Sequence, residues 1–123
     1  MLCLVLVAAG CSGSYGHKPL SAGSAEHARI GHLLAALRQA GPAGLAGVVA
    51  GDAAPGLDEP ARRRLAGALA PLAEADRVEL LKVDRFGPDI CRATFQATRG
   101  DSVRTVSILL MGPSSQLRWL QPN

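Results

Sequence analysis

The side chains that could do chemistry in this sequence are few, and the three histidines come first. His17 lies in a Gly- and Ser-rich stretch, whereas His27 and His32 lie in a segment with helical periodicity. A separation of five residues places two side chains about 140° apart on a helix of about 3.6 residues per turn. A zinc-binding pair on one helix needs a spacing of about three or four. The pattern therefore favours solvated histidines, and we expect no metal and no other cofactor.

Cys91 is the next candidate, because a thiol can act as a nucleophile. It lies in a segment that alternates apolar and polar residues, on the same side as Ala93 and Phe95. A catalytic cysteine needs a base beside it, and none lies nearby in the sequence. The alternation instead predicts that Cys91 is a small hydrophobic residue of the core.

Two short motifs resemble binding sites but have simpler explanations. A glycine-rich stretch spans Gly41 to Gly51, but it lacks the Gly-Lys-Ser/Thr of a phosphate-binding loop, so we interpret it as a flexible loop. Arg99-Gly100-Asp101 spells the tripeptide that integrins recognise. Gly-Asp is also ordinary hairpin-turn chemistry, and we expect a turn there.

Basic residues form one cluster, Arg62 to Arg64, in a chain of net charge +3 with only 3% aromatic residues. Nucleic-acid binding would need a larger basic patch with aromatic side chains between its residues, so we expect no nucleic-acid partner. The cluster is typical of a solvated helix face, although it could also contact anionic lipid headgroups. The residues predicted to form a ligand or partner surface are Arg62, Arg63, Arg64, Arg92, Phe95 and Trp119.

The first residues are uniformly apolar. Residues 1–10 read MLCLVLVAAG and are followed by Cys11 and a Ser- and Gly-rich stretch. An apolar stretch this short cannot span a bilayer, which needs about 20 residues, but it suits the apolar part of a secretory signal peptide. The alternative is an ordinary N-terminal strand with Cys11 in the core; the missing period-2 alternation argues against it.

Ala8-Ala9-Gly10-Cys11 resembles the lipobox of bacterial lipoproteins. The resemblance implies that the Cys11 thiol receives a diacylglycerol and that cleavage leaves Cys11 as the new N-terminus. The chain would then be held in the cell envelope, facing the periplasm, by its lipid. Ser12 resembles the residue that directs some lipoproteins to the outer membrane.

We therefore predict three parts: a signal peptide at 1–10, the lipidated cysteine with a flexible linker at 11–23, and a single domain at 24–123. The linker is rich in Gly, Ser and Pro, and a flexible chain of that length spans about 20 Å on average. It would hold the domain just off the membrane.

Two helices are predicted at the start of the domain. Ser24 is a suitable N-cap for the first, which carries an apolar stripe from Ile30 to Leu37. Asp58 caps the second, with an apolar stripe from Leu65 to Leu72. Pro71 predicts a kink or an early end near Ala70. Residues 42–57 are interpreted as a loop with a short ordered piece.

Four strands follow, at 77–84, 90–98, 103–111 and 116–121. The second alternates, with Cys91, Ala93, Phe95 and Ala97 on one face, which indicates a half-buried antiparallel strand. Leu117 and Trp119 are predicted to face inward in the last strand. The fold class is thus α+β, with two N-terminal helices packed on a curved four-stranded antiparallel meander.

This order of elements resembles small exported domains of the NTF2-like or cystatin-like type. The resemblance implies a concave sheet face that can hold a ligand. The catalytic residues of NTF2-like enzymes cannot be carried over, because no histidine lies in the sheet half. We expect a non-enzymatic envelope lipoprotein that binds a protein or envelope partner. The alternative is a small-ligand binder or degenerate enzyme with a pocket between helices and sheet.

Overall fold

The computed structural model of the protein describes residues 18–123, in which a two-residue strand is followed by three helices and then by four further strands. The α+β class is confirmed. Residues 1–10 and Cys11, which carry the predicted signal peptide and lipid, lie outside the described residues. The elements are β1 (Lys18–Pro19), α1 (Ala25–Ala40), α2 (Leu45–Asp52), α3 (Glu59–Glu74), β2 (Arg77–Arg85), β3 (Ile90–Arg99), β4 (Ser102–Met111) and β5 (Arg118–Pro122), with 3-10 turns at Pro42–Gly44 and Ser114–Gln116.

The sheet is an antiparallel meander, in which β1 to β5 lie side by side in chain order. The short strand β1 pairs Lys18 with Arg85 at the end of β2, and the Leu20 amide donates to the Val83 carbonyl at 2.9 Å. Part of the predicted linker 11–23 is therefore ordered, and the fold includes residues before Ser24.

Side-chain caps begin α1 and α3, as the sequence predicts. The Ser24 Oγ accepts from the His27 amide at 3.2 Å, and the Asp58 Oδ1 accepts from the Ala61 amide at 2.9 Å. These bonds satisfy amides that have no partner within the helix.

Helix α3 continues through Pro71 to Glu74, so of the kink or early end predicted near Ala70, the early end is wrong. Tertiary contacts hold the last turn in place. Leu72 is fully buried, and the Arg38 Nη1 donates to the carbonyls of Leu72 at 2.8 Å and Ala75 at 3.0 Å. A basic side chain at the end of a helix also interacts favourably with its dipole.

The glycine-rich stretch and residues 42–57, predicted as a loop with a short ordered piece, instead contain helix α2, whose residues, LAGVVAGD, have little helical stripe. Val48 and Val49 are buried, which ties this helix to the core. In the part of the chain described, no single helix is long and apolar enough to cross a membrane; Ala25–Ala40 and Pro42–Asp52 meet that test only as a pair, bent by 105°.

The core lies between the helices and one face of the sheet. Phe95 and Trp119 are fully buried at its centre, with ring centroids 6.2 Å apart and a tilt of 54° between the rings. Cys91 and Ala93 are fully buried, and Ala97 is nearly so, which confirms the predicted inward face of β3. Leu117 also faces inward, as predicted.

Candidate binding site

A groove lies between the C-terminal half of α3 and the hairpin that joins β3 to β4. We call it the distal groove. Its volume is about 600 Å³, within the range of about 300–1,000 Å³ of small-ligand sites. It is lined by Gly67, Ala70, Pro71, Glu74, Ala75, Ala97, Arg99, Ser102, Val103 and Arg104.

Small side chains open this groove. Helix α3 contributes Gly67, Ala70 and Pro71, which lie three and four residues apart and so share one side of the helix. The sheet contributes Ala97 opposite them. The wall of the groove is therefore mainly apolar.

The rim of the distal groove carries two positive side chains, Arg99 and Arg104, and one negative side chain, Glu74. The Arg99 Nη1 lies 3.0 Å from the Glu74 Oε1, with the two side chains 71% and 40% exposed. Exposed ion pairs contribute little, about 0–1 kcal/mol, so Arg99 can exchange its partner at small cost. The Arg104 guanidinium is exposed and forms no ion pair or hydrogen bond among residues 18–123. The rim therefore favours an anion.

The hairpin tip beside the groove is held in place by Asp76. Its Oδ2 accepts from the Gly100 amide at 2.7 Å, and its own amide donates to the Thr98 carbonyl at 2.8 Å. Gly100 has a φ of 59°, which glycine adopts without strain. The Arg99-Gly100-Asp101 tripeptide thus has a structural explanation as the turn that the sequence predicts.

The opposite end of the sheet holds Lys18, the first residue that the structure describes. Lys18 pairs with Arg85, which lies beside Cys91 near the start of β3, whereas Arg99 ends that ten-residue strand. Strands rise about 3.3 Å per residue, so the two ends are about 30 Å apart. We call this opposite end the proximal end.

A buried carboxylate holds the proximal end together. The Glu26 Oε2 accepts from the Ser114 Oγ at 2.8 Å and from the Arg85 Nε at 3.2 Å. These contacts join α1 to β2 and to the turn before β5. The Ser114 hydroxyl, with help from Arg85, holds the pKa of Glu26 below its ordinary value of 4.5, against the effect of burial.

The predicted arginine cluster lies away from the groove. Arg62, Arg63 and Arg64 are exposed on the first half of α3, and Arg63 pairs with Glu59 at 3.3 Å. None of the three lines the distal groove.

Arg92 also lies apart from the groove, on the sheet face that the helices leave open. Its Nη2 binds the Asp84 Oδ2 at 3.1 Å, and its guanidinium lies 4.9 Å from the centre of the Phe86 ring. Asp84 is only 2% exposed. Arg92 therefore neutralises a buried carboxylate within the fold.

Phe95 and Trp119 do not form a ligand or partner surface, because both are fully buried. The physical reason is the inward face of β3 and β5, which turns these aromatic rings to the core. The six residues predicted to form one surface therefore lie in three places: the first half of α3, the open face of the sheet, and the core. None of them lines the distal groove.

Cys91 and the histidines are poor catalytic groups in this fold. Burial raises the pKa of the Cys91 thiol from 9.0 to about 11, so the nucleophilic thiolate is rare at neutral pH. The His27 ring lies 3.3 Å from the Leu20 carbonyl oxygen, and His32 is exposed. Across residues 18–123, no three His, Cys, Asp or Glu side chains converge on a metal position.

Sequence reasoning missed the distal groove, although one signal could have indicated it. Gly67 and Pro71 are poor helix formers, and with the small Ala70 they lie on one side of an otherwise good helix. The matching residues Ala97 and Arg104 come from strands whose register the sequence does not fix. No family model matches this chain, and neither a curated protein nor a solved structure is significantly similar to it.

Proposed function

We propose that this protein is a non-enzymatic, lipid-anchored domain of the bacterial cell envelope that binds an envelope protein at its distal groove. One observation carries the proposal: the groove and Lys18, the first residue that the structure describes, lie at opposite ends of the sheet. An anchor at Cys11 would leave the groove facing away from the lipid, where a partner can reach it.

The chain between the anchor and the domain is short. From Cys11 to Lys18 there are seven residue steps, which reach at most about 25 Å. The multiple acyl chains of a lipoprotein would hold the domain firmly, since a single chain binds a membrane only marginally. The proximal end would thus stay close to the lipid surface.

Mass spectrometry of the native protein, together with membrane fractionation, tests the anchor. We expect a polypeptide that begins at Cys11 and carries acyl chains, recovered in the membrane fraction. A Cys11→Ser variant loses both properties, whereas Cys3→Ser, in the segment to be removed, keeps both. An intact Met1 or an unmodified Cys11 thiol in the native protein contradicts the proposal.

Small-ligand binding is the second candidate function, and the position of the groove between α3 and the sheet favours it. The two functions differ in what the groove would hold. They are separated by the binding experiment below, which does not depend on the anchor.

A further inference from the structure

We infer that the distal groove binds a short apolar peptide segment that carries a carboxylate, presented by another protein. The inference rests on the proposed role of the groove as a partner site. It does not depend on the lipid anchor, so the two can fail separately.

The wall of the groove specifies the apolar part of the occupant. Its inner surface is formed by methyl groups and a proline ring, from Ala70, Pro71, Ala75 and Ala97. Val103 adds an apolar side chain that is 59% exposed. An apolar segment placed here would remove this surface from water, which is the general driving force of association.

The positive side chains at the rim of the groove favour a carboxylate on the bound peptide. The Arg104 guanidinium has no partner among the described residues, and Arg99 has only the exposed Glu74. A guanidinium can bind a carboxylate through two parallel N–H donors, which gives strength and direction. The net charge of these three side chains is positive, so an acidic group on the occupant is favoured over a basic one.

The open shape of the groove favours a peptide over a small molecule. Small-ligand sites enclose about 70–90% of their occupant. Here Arg99, Val103 and Arg104 form an exposed rim, so a chain can enter and leave along it.

Selection from a random heptapeptide library on the full chain in detergent provides the probe. We expect the recovered peptides to combine Leu, Ile, Val or Phe with Asp or Glu. Synthetic copies are then titrated by fluorescence anisotropy. Arg104→Gln should weaken binding by up to about fivefold, because Arg104 is exposed and exposed ion pairs contribute little. Arg77→Gln, an exposed arginine outside the groove, should leave the affinity unchanged.

Gly67→Leu tests the groove itself without threatening the fold. A Cβ built at Gly67 meets no atom within 4 Å, and leucine is a better helix former than glycine. This variant should lose peptide binding while its melting temperature stays the same or rises.

Several results would overturn the inference. The selection could recover no specific peptide, or it could recover peptides without acidic residues. Alternatively, the affinity for the recovered peptides could be unchanged in Arg104→Gln or in Gly67→Leu. Sodium decanoate serves as the small-molecule probe. If it binds the groove more tightly than every recovered peptide, the occupant is a small amphiphile and the peptide assignment is wrong.

Discussion

Replacing Glu26 with glutamine should destabilise the domain by about 2 kcal/mol at neutral pH. Glu26 lies in the first turn of α1, and its carboxylate accepts bonds from Ser114 and Arg85 at 2.8 and 3.2 Å. The paired side chains of Arg85 and Glu26 are only 18% and 11% exposed. Hydrogen bonds to charged groups contribute about 1.5–3 kcal/mol when shielded from water. The Glu26→Gln variant keeps an acceptor for Ser114, so the expected loss falls near the lower half of that range.

Urea unfolding, followed by circular dichroism, measures this loss as a lower midpoint with an unchanged slope. The melting temperature should fall by about 10 °C, from the usual sensitivity of a domain this small. Glu59→Gln is the matched control, because Glu59 pairs with Arg63 while both are largely exposed. The Glu59→Gln variant should lower the free energy of unfolding by less than about 0.5 kcal/mol.

The difference in the free energy of unfolding between the wild type and Glu26→Gln should also depend on pH. Because the pKa of Glu26 is lowered in the folded state, its contribution is present above the unfolded value of about 4.5 and is lost as the pH falls through the lower folded value. Equal stability of the two proteins at pH 7, or a difference that does not shrink as the pH falls below 4.5, would refute the assigned network.

Three further results are expected. Arg38→Gln should lower the free energy of unfolding by about 1–2 kcal/mol, measured by urea denaturation, because it weakens donation to the Leu72 and Ala75 carbonyls. Cys91 should resist thiol-specific reagents in the native protein at pH 8 and react once urea unfolds it, because burial raises its pKa to about 11. Trp119→Phe should cost about 1–2 kcal/mol by thermal denaturation, since the indole Nε1 forms no hydrogen bond among the described residues and only packing is lost.

Local sequence signals predicted most of the fold because they act over short distances. Ser24 and Asp58 mark helix starts through their own side chains, and the alternation around Phe95 assigns each residue to a face. The same alternation shows that Phe95 and Trp119 belong to the core. The prediction that both rings form part of a contact surface is therefore inconsistent with the alternation, which turns them toward the core.

The errors arose where distant residues decide the outcome. Helix α2 has no stripe of its own and depends on packing of Val48 and Val49 against the rest of the core. The last turn of α3 depends on Arg38, which lies far away in the sequence. Neither contact can be found by reading a window of residues.

The distal groove could not be predicted for the same reason, since helix and hairpin meet only in the folded chain. Gly67 and Pro71 are poorer helix formers than alanine, by about 1 and about 3 kcal/mol. Gly67 is exposed with free space around it, so the core does not require a glycine there. The same is true of Gly31, Gly47 and Gly51 in the other helices, so an exposed glycine in a helix does not by itself indicate a groove. What distinguishes Gly67 is its place on the side of α3 that lies across the groove from Ala97, and that place is set only when the chain folds.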